Sequence, residues 1–192
     1  PLSTIVRWNG SENGTMLQVD GAGFCSYSRL TWDGAKKANT AMLFEFDIQH
    51  TKRFSNTGSS VSDMIYTDLC FGIRTGGMYP NGKYGQDAEC MVSRCRFYNC
   101  SVAGIAIADW NDLDWYIWSS WFENCALGVT NDALEGGAGN FHVYQSFFSG
   151  STEADIKIGV VNPFSLSWNR SINSKKFLQI SRGWNTNGAL VT

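Results

Sequence analysis

No apolar run in this chain approaches the roughly 20 residues that a helical membrane span needs, so no segment reads as a membrane-crossing helix. Charge of one sign is also missing: 15 Lys and Arg against 17 Asp and Glu leave a net charge of −2. That balance supplies no electrostatic pull toward nucleic acid or an anionic membrane, and neither is expected as a partner. Proline is scarce, with 3 residues against 20 glycines, while 43% of the chain is hydrophobic and 17% charged, which argues against disorder. Histidine is limited to His50 and His142. The Cys90-x4-Cys95-x4-Cys100 spacing does not match paired zinc ligands either, so no metal is expected on the cysteines. A helix of about 12 residues finds no home in the hydrophobic pattern.

What the chain does have is a repeat. Val92-Ser93-Arg94-Cys95-Arg96-Phe97-Tyr98-Asn99-Cys100 returns as Ile117-Trp118-Ser119-Ser120-Trp121-Phe122-Glu123-Asn124-Cys125. It returns again as Val143-Tyr144-Gln145-Ser146-Phe147-Phe148-Ser149-Gly150-Ser151. Phe97, Phe122 and Phe148 are spaced by 25 and 26 residues, a period that signals a solenoid, propeller or array. After each copy come a small residue and alternating aliphatics: Gly104-Ile105-Ala106-Ile107, Leu127-Gly128-Val129 and Ala154-Asp155-Ile156-Lys157-Ile158.

Alternation of this kind fits strands, and the Asn, Gly, Asp and Ser residues between them fit turns. Two or three short strands per repeat make an all-β, right-handed parallel β-helix with coils of about 23–26 residues and a continuous inner core. A propeller blade needs about 40 residues and is excluded by the period. Residues 1–192 read as a single β-helix domain. Pro1 follows no initiator Met or leader, and the end near Thr192 lacks a polar cap, so the chain reads as a slice of a longer solenoid. Cys100 and Cys125 share one repeat position, and Cys95, Ser120 and Ser146 another. The cysteines are therefore expected as buried free thiols, with a disulfide framework as the alternative.

The run Cys95–Cys100, with Gly104-Ile105, Asn111-Asp112-Leu113-Asp114 and Gly139-Asn140-Phe141-His142-Val143, resembles the pectate-lyase-like superfamily of right-handed parallel β-helices. Thr4-Ile5-Val6-Arg7-Trp8-Asn9-Gly10 and Leu30-Thr31-Trp32-Asp33-Gly34 look like earlier coils of the same group. The resemblance implies the fold more than an activity, since the superfamily holds lyases, hydrolases, phage tail proteins and carbohydrate-binding modules. It also implies an asparagine ladder at one turn, matched by Asn99 and Asn124 and lapsing at Gly150. Two departures weigh against its enzymes. There is no adjacent aspartate pair as in polygalacturonase-like hydrolases, and no Arg-x-Pro-x-x-Arg run as in pectate lyases.

Setting Val92, Ile117 and Val143 inward turns Ser93, Trp118 and Tyr144 outward in one column. Trp168 extends it if the next coil is registered on Ile172; registration on Ser171 puts Ser167 there instead. Arg96, Trp121 and Phe147 form a second column, and Trp110 and Trp115 lie in the segment leading into the same strand. Exposed aromatics in a contiguous patch mark a binding site, and sugar rings dock on such faces. Asp109, Asn111, Asp112, Asp114, Gln145 and Asn169 would serve the hydroxyls. The alternative is that the rings stack on one another or lie under the segment from Asn131 to Asn140 and serve stability alone.

For catalysis the candidates are Asp109, Asp112 and Asp114, with Glu123 and Asp132 adjacent, as acid and base or as ligands for a hard cation such as Ca²⁺. Their bland reading is as turn residues. Residues 108–147 contain no Lys or Arg, which favours a neutral polysaccharide over a uronate. The expectation is a secreted, non-catalytic carbohydrate-binding module for xylan or another plant β-glycan. It would need no cofactor and would accompany a fused glycoside hydrolase domain in plant cell-wall degradation. The alternatives are a polysaccharide lyase or glycoside hydrolase of the same superfamily, or a trimeric phage or adhesin shaft.

Overall fold

The computed structural model of the chain describes residues 4–45, 56–76, 87–107, 112–131, 140–159, 163–181 and 189–192. Its described residues form strands and turns without a helix. Three seven-stranded sheets run the length of the chain, and a two-stranded ladder joins Asn56–Thr57 to Asp87–Ala88. Within each sheet every neighbour comes from the next coil and runs parallel to it. One coil therefore contributes one strand to each sheet: Trp115–Trp118 to the first, Trp121–Glu123 to the second and Leu127–Thr130 to the third. The chain is a right-handed parallel β-helix, as the repeat predicts.

Coil length follows the predicted period over the second half. Hydrogen-bonded partners in adjacent coils are 25 residues apart at Cys95 and Ser120, 26 at Ser120 and Ser146, and 23 at Ser146 and Asn169. Nearer the start the step lengthens to 34 at Ser26 and Ser60 and 31 at Asp63 and Arg94, outside the expected 23–26. The added residues fall in 46–55 and 77–86, between strands of the third and first sheets.

The core is a stack of like upon like. Tyr66, Phe97, Phe122 and Phe148 lie in register with ring centroids 4.6, 4.8 and 4.8 Å apart and planes nearly parallel. That separation is the spacing of neighbouring strands, so the backbone ladder sets the ring contact. Opposite them Ile73, Ile105, Val129 and Ile156 form an aliphatic column, and Val61, Val92, Ile117, Val143 and Leu166 a third. Gly72, Gly104 and Gly128 clear room for the rings: a Cβ at Gly104 would lie 2.7 Å from Phe122 Cδ1 and 2.8 Å from the Gly128 carbonyl oxygen.

Left-handed residues recur in columns at the turns between strands, two of which flank the second sheet. Arg29, Asp63, Arg94, Ser119, Gln145 and Trp168 form one such column, with φ between 47° and 62°. Each donates its N–H to the next coil, as Arg94 does to Trp118 and Gln145 to Ser167. Asp68, Asn99, Asn124, Gly150 and Asn173 form the other, with φ from 53° to 67°. Asn, Asp and Gly are the residues that tolerate this conformation. The asparagine positions thus have a conformational reason, and Gly150 continues the column where the amide ladder stops. Asn99 and Asn124 are solvent-exposed, and Asn99 Nδ2 donates to Asp68 Oδ1 at 3.3 Å.

The six cysteines are free, four of them buried. Cys95, Ser120, Ser146 and Asn169 stack as the repeat implies, each receiving the N–H of the residue one coil earlier from Ser120 onward. Burial pushes the Cys90 and Cys95 thiols up to about 12, so neither is an activated nucleophile at neutral pH.

Candidate functional site

The first sheet presents alternating side chains: in Trp115–Trp118, Trp115 and Ile117 point inward and Tyr116 and Trp118 outward. In register with it, Phe141–Tyr144 buries Phe141 and Val143 and turns His142 and Tyr144 out. Trp118 and Tyr144 are neighbours, as the sequence predicts, with centroids 5.2 Å apart and planes inclined at 56°. In the second sheet Trp121 packs on Phe147 at 4.2 Å and 46°. The rings do touch one another, yet Trp118 and Trp121 remain 43% and 41% exposed. Trp118 and Tyr144, inclined to each other, form facets of a groove.

Trp168 completes one wall, and of the two registers open to it the structure takes the one through Ser171. Phe148 pairs with Ser171, so Ser167 occupies the column beside Tyr144 and Trp168 falls in the left-handed turn. There it is 80% exposed. A cavity of about 330 Å³ is lined by Tyr116, Trp118, Tyr144, Gln145, Ser167 and Trp168. No charged side chain is among them. The Trp118 indole N–H donates to Gln145 Oε1 at 3.1 Å, which fixes the ring against the turn.

Trp115 is corrected from a surface ring to a core residue. It is fully buried, meets Phe44 edge-on at 5.5 Å, and donates its indole N–H to the Asp87 carbonyl at 2.6 Å. The strand begins at Trp115, so the inward alternation set by Ile117 reaches it. Asp112 is likewise interior and so cannot meet a solvent-borne substrate. It accepts from the Thr75 hydroxyl and, at 3.0 Å, from the Asp87 N–H, within a buried set that also holds Asn56. Asn169 is engaged too, donating to the Val143 carbonyl and accepting from the Ser146 N–H, both at 2.9 Å. Asp109, Trp110, Asn111 and Asp132 lie outside the described residues. Among the described residues no group of three acidic, His or Cys side chains is placed to hold a metal.

Two features add to the sequence reading. Arg170 lies over Phe147, 5.8 Å from the ring, and Arg96 is in register with Trp121, so cations border the second column although residues 108–147 contain none. Arg94, nearby, is bound at 2.8 Å to Asp63, whose carboxyl its hydrogen bond holds below the usual range. Tyr116, 40% exposed and stacked on His142 at 4.9 Å, is the ring that the sequence reading missed. Extending the alternation two residues back from Trp118 identifies it.

No family model matches the chain, and no curated protein does. A solved structure, Pantoea stewartii WceF, described as a glycan biofilm modifying enzyme with a bacteriophage tailspike-like parallel β-helix fold, superposes with a TM-score of 0.48 at 10% identity. The match covers 95% of this chain and 31% of that one, so the chain spans about a third of its length.

Proposed function

We propose that this β-helix binds carbohydrate in the groove between Tyr116, Trp118, Tyr144 and Trp168, as a binding module related to the pectate-lyase-like β-helices. The observation that carries the reading is the groove itself: four aromatic residues from three successive coils, partly or largely exposed, around about 330 Å³ with Gln145 and Ser167 among them. Apolar faces with a few polar groups suit a ring whose C–H face is apolar and whose rim carries hydroxyls. The uncharged lining favours a neutral segment such as a xylan or other β-glycan, while Arg96 and Arg170 stand outside it along the Trp121 column.

Calorimetry against a panel of neutral polysaccharides, with an acidic glycan as the contrasting arm, tests the reading. Saturable binding of a neutral glycan that Trp118→Ala weakens at least tenfold is expected. Absence of binding across both arms, or equal binding by the variant, refutes it.

A further inference from the structure

At the upstream end of the groove, on the same face of the first sheet, Tyr116, His142 and Ser165 stand in register. Ser165 Oγ lies 2.7 Å from His142 Nδ1, and Asp114 Oδ1 lies 3.9 Å from Nε2 on the other side of the ring. Asp114 is fixed by Asn140, which accepts the Asp114 N–H at 2.9 Å and donates its amide to Oδ1 at 2.5 Å. The Tyr144 hydroxyl is 2.5 Å from Ser165 Oγ. One tautomer satisfies every member: Nε2–H faces Asp114, Nδ1 accepts the Ser165 proton, and Ser165 Oγ accepts from Tyr144.

From this row of oxygen, imidazole and carboxylate we infer that Ser165, His142 and Asp114 hydrolyse acyl esters borne on sugars that occupy the neighbouring groove. The choice of a sugar ester rests on the glycan-binding reading; the hydrolytic chemistry does not. As Ser165 Oγ bonds to the acyl carbon, its proton passes to His142 Nδ1, and the Tyr144 O–H turns from Oγ to the developing oxyanion. The ester C–O bond breaks, and His142 returns the proton to the departing sugar hydroxyl. Water then attacks the acyl carbon and gives its proton to Nδ1; the Oγ–C bond breaks and Oγ recovers the proton, leaving a carboxylic acid. Asp114 is a positioning residue whose carboxylate steadies the imidazolium. Its 3.9 Å separation is wider than a hydrogen bond, as catalytic contacts often are without substrate. Burial lowers the His142 pKa from its ordinary value and the Asp114 charge opposes that shift, so the ring is neutral and able to accept a proton at pH 7.

The test needs no glycan at first. The protein is treated with a fluorophosphonate probe and peptide-mapped, and its hydrolysis of 4-nitrophenyl acetate is followed against pH. A single adduct on Ser165 is expected, with turnover falling about a hundredfold or more in Ser165→Ala and His142→Gln. Asp114→Asn should move the midpoint of the pH profile downward, a shift that loss of packing alone would not produce. No adduct on Ser165, or wild-type turnover in Ser165→Ala, overturns the inference. Acetate release from an acetylated glycan is the second arm. Probe labelling without glycan turnover retains the hydrolytic site and refutes the sugar assignment; glycan binding without labelling does the reverse.

Discussion

Replacing Gly104 with alanine should destabilise the coil stack chiefly through one ring, and that makes the contact measurable by a double-mutant cycle. An added Cβ would stand 2.7 and 2.9 Å from Cδ1 and Cε1 of Phe122 and 2.8 Å from the Gly128 carbonyl oxygen. Phe122 cannot retreat, because Phe97 and Phe148 stack on its two faces at 4.8 Å each. Overpacking of this kind costs about 1–3 kcal/mol, less the roughly 0.4–1 kcal/mol by which alanine restricts the unfolded chain. Phe122→Ala alone empties a fully buried site and costs about 3–5 kcal/mol. In the double variant two of the three clashes vanish and only the carbonyl contact remains. It should therefore be more stable than the sum of the singles by about 1 kcal/mol. Urea denaturation followed by circular dichroism reads this as midpoint shifts at constant m-value. Additivity within about 0.5 kcal/mol would refute the reasoning, since the ring would then not be what the glycine accommodates.

Trp115→Ala and Trp118→Ala should separate stability from binding. The first, in the core, is expected to lose about 3–5 kcal/mol of stability, and the second to keep its melting temperature within a few degrees while losing glycan affinity; thermal scans alongside calorimetry distinguish them. Asp155 is fully buried, and among the described residues neither carboxylate oxygen finds a hydrogen-bond partner, so Asp155→Asn should raise stability by about 1–3 kcal/mol in urea titration. His142 has its pKa lowered on folding by burial, so the unfolded chain binds its proton more readily. Its contribution should leave stability unaffected above the ordinary value near 6.5 and reduce it as pH falls through the folded pKa, a slope that His142→Gln removes; an unchanged slope would contradict the assignment.

The architecture was legible because Phe97, Phe122 and Phe148 must recur once per coil for their rings to stack, and stacking fixes the period. The coils before Val92 were not legible in the same way: residues 46–55 and 77–86 stretch the step to 34 and 31, so Trp32, Tyr66 and Phe97 share a column with no constant spacing. At the other end the step shortens to 23 and Ser171 takes the place of a ring, so the sequence left two registers open for Trp168 and the structure takes the one through Ser171. Trp115 was missed because Asp112 and Asp114 beside it read as turn residues, although Phe141 marks the same inward position one coil on. The Asp114, His142 and Ser165 row was invisible in any local window because its members come from three coils. Only the 26- and 23-residue steps, applied together, superimpose Tyr116, His142 and Ser165.

The left-handed turn that carries Trp168 ties two properties to one residue with opposite signs. A bulky side chain at φ 62° sits in a conformation that costs about 1–2 kcal/mol relative to glycine, and the same turn is what thrusts the indole over the groove. Trp168→Gly should accordingly melt higher while gripping its ligand less well. Ser119 and Gln145 occupy the same turn in the two preceding coils. Exchanging the exposed Ser119 for an aromatic would add a ring along this edge of the groove without touching an interior atom, so specificity can be rewritten here while the stacked phenylalanines stay as they are.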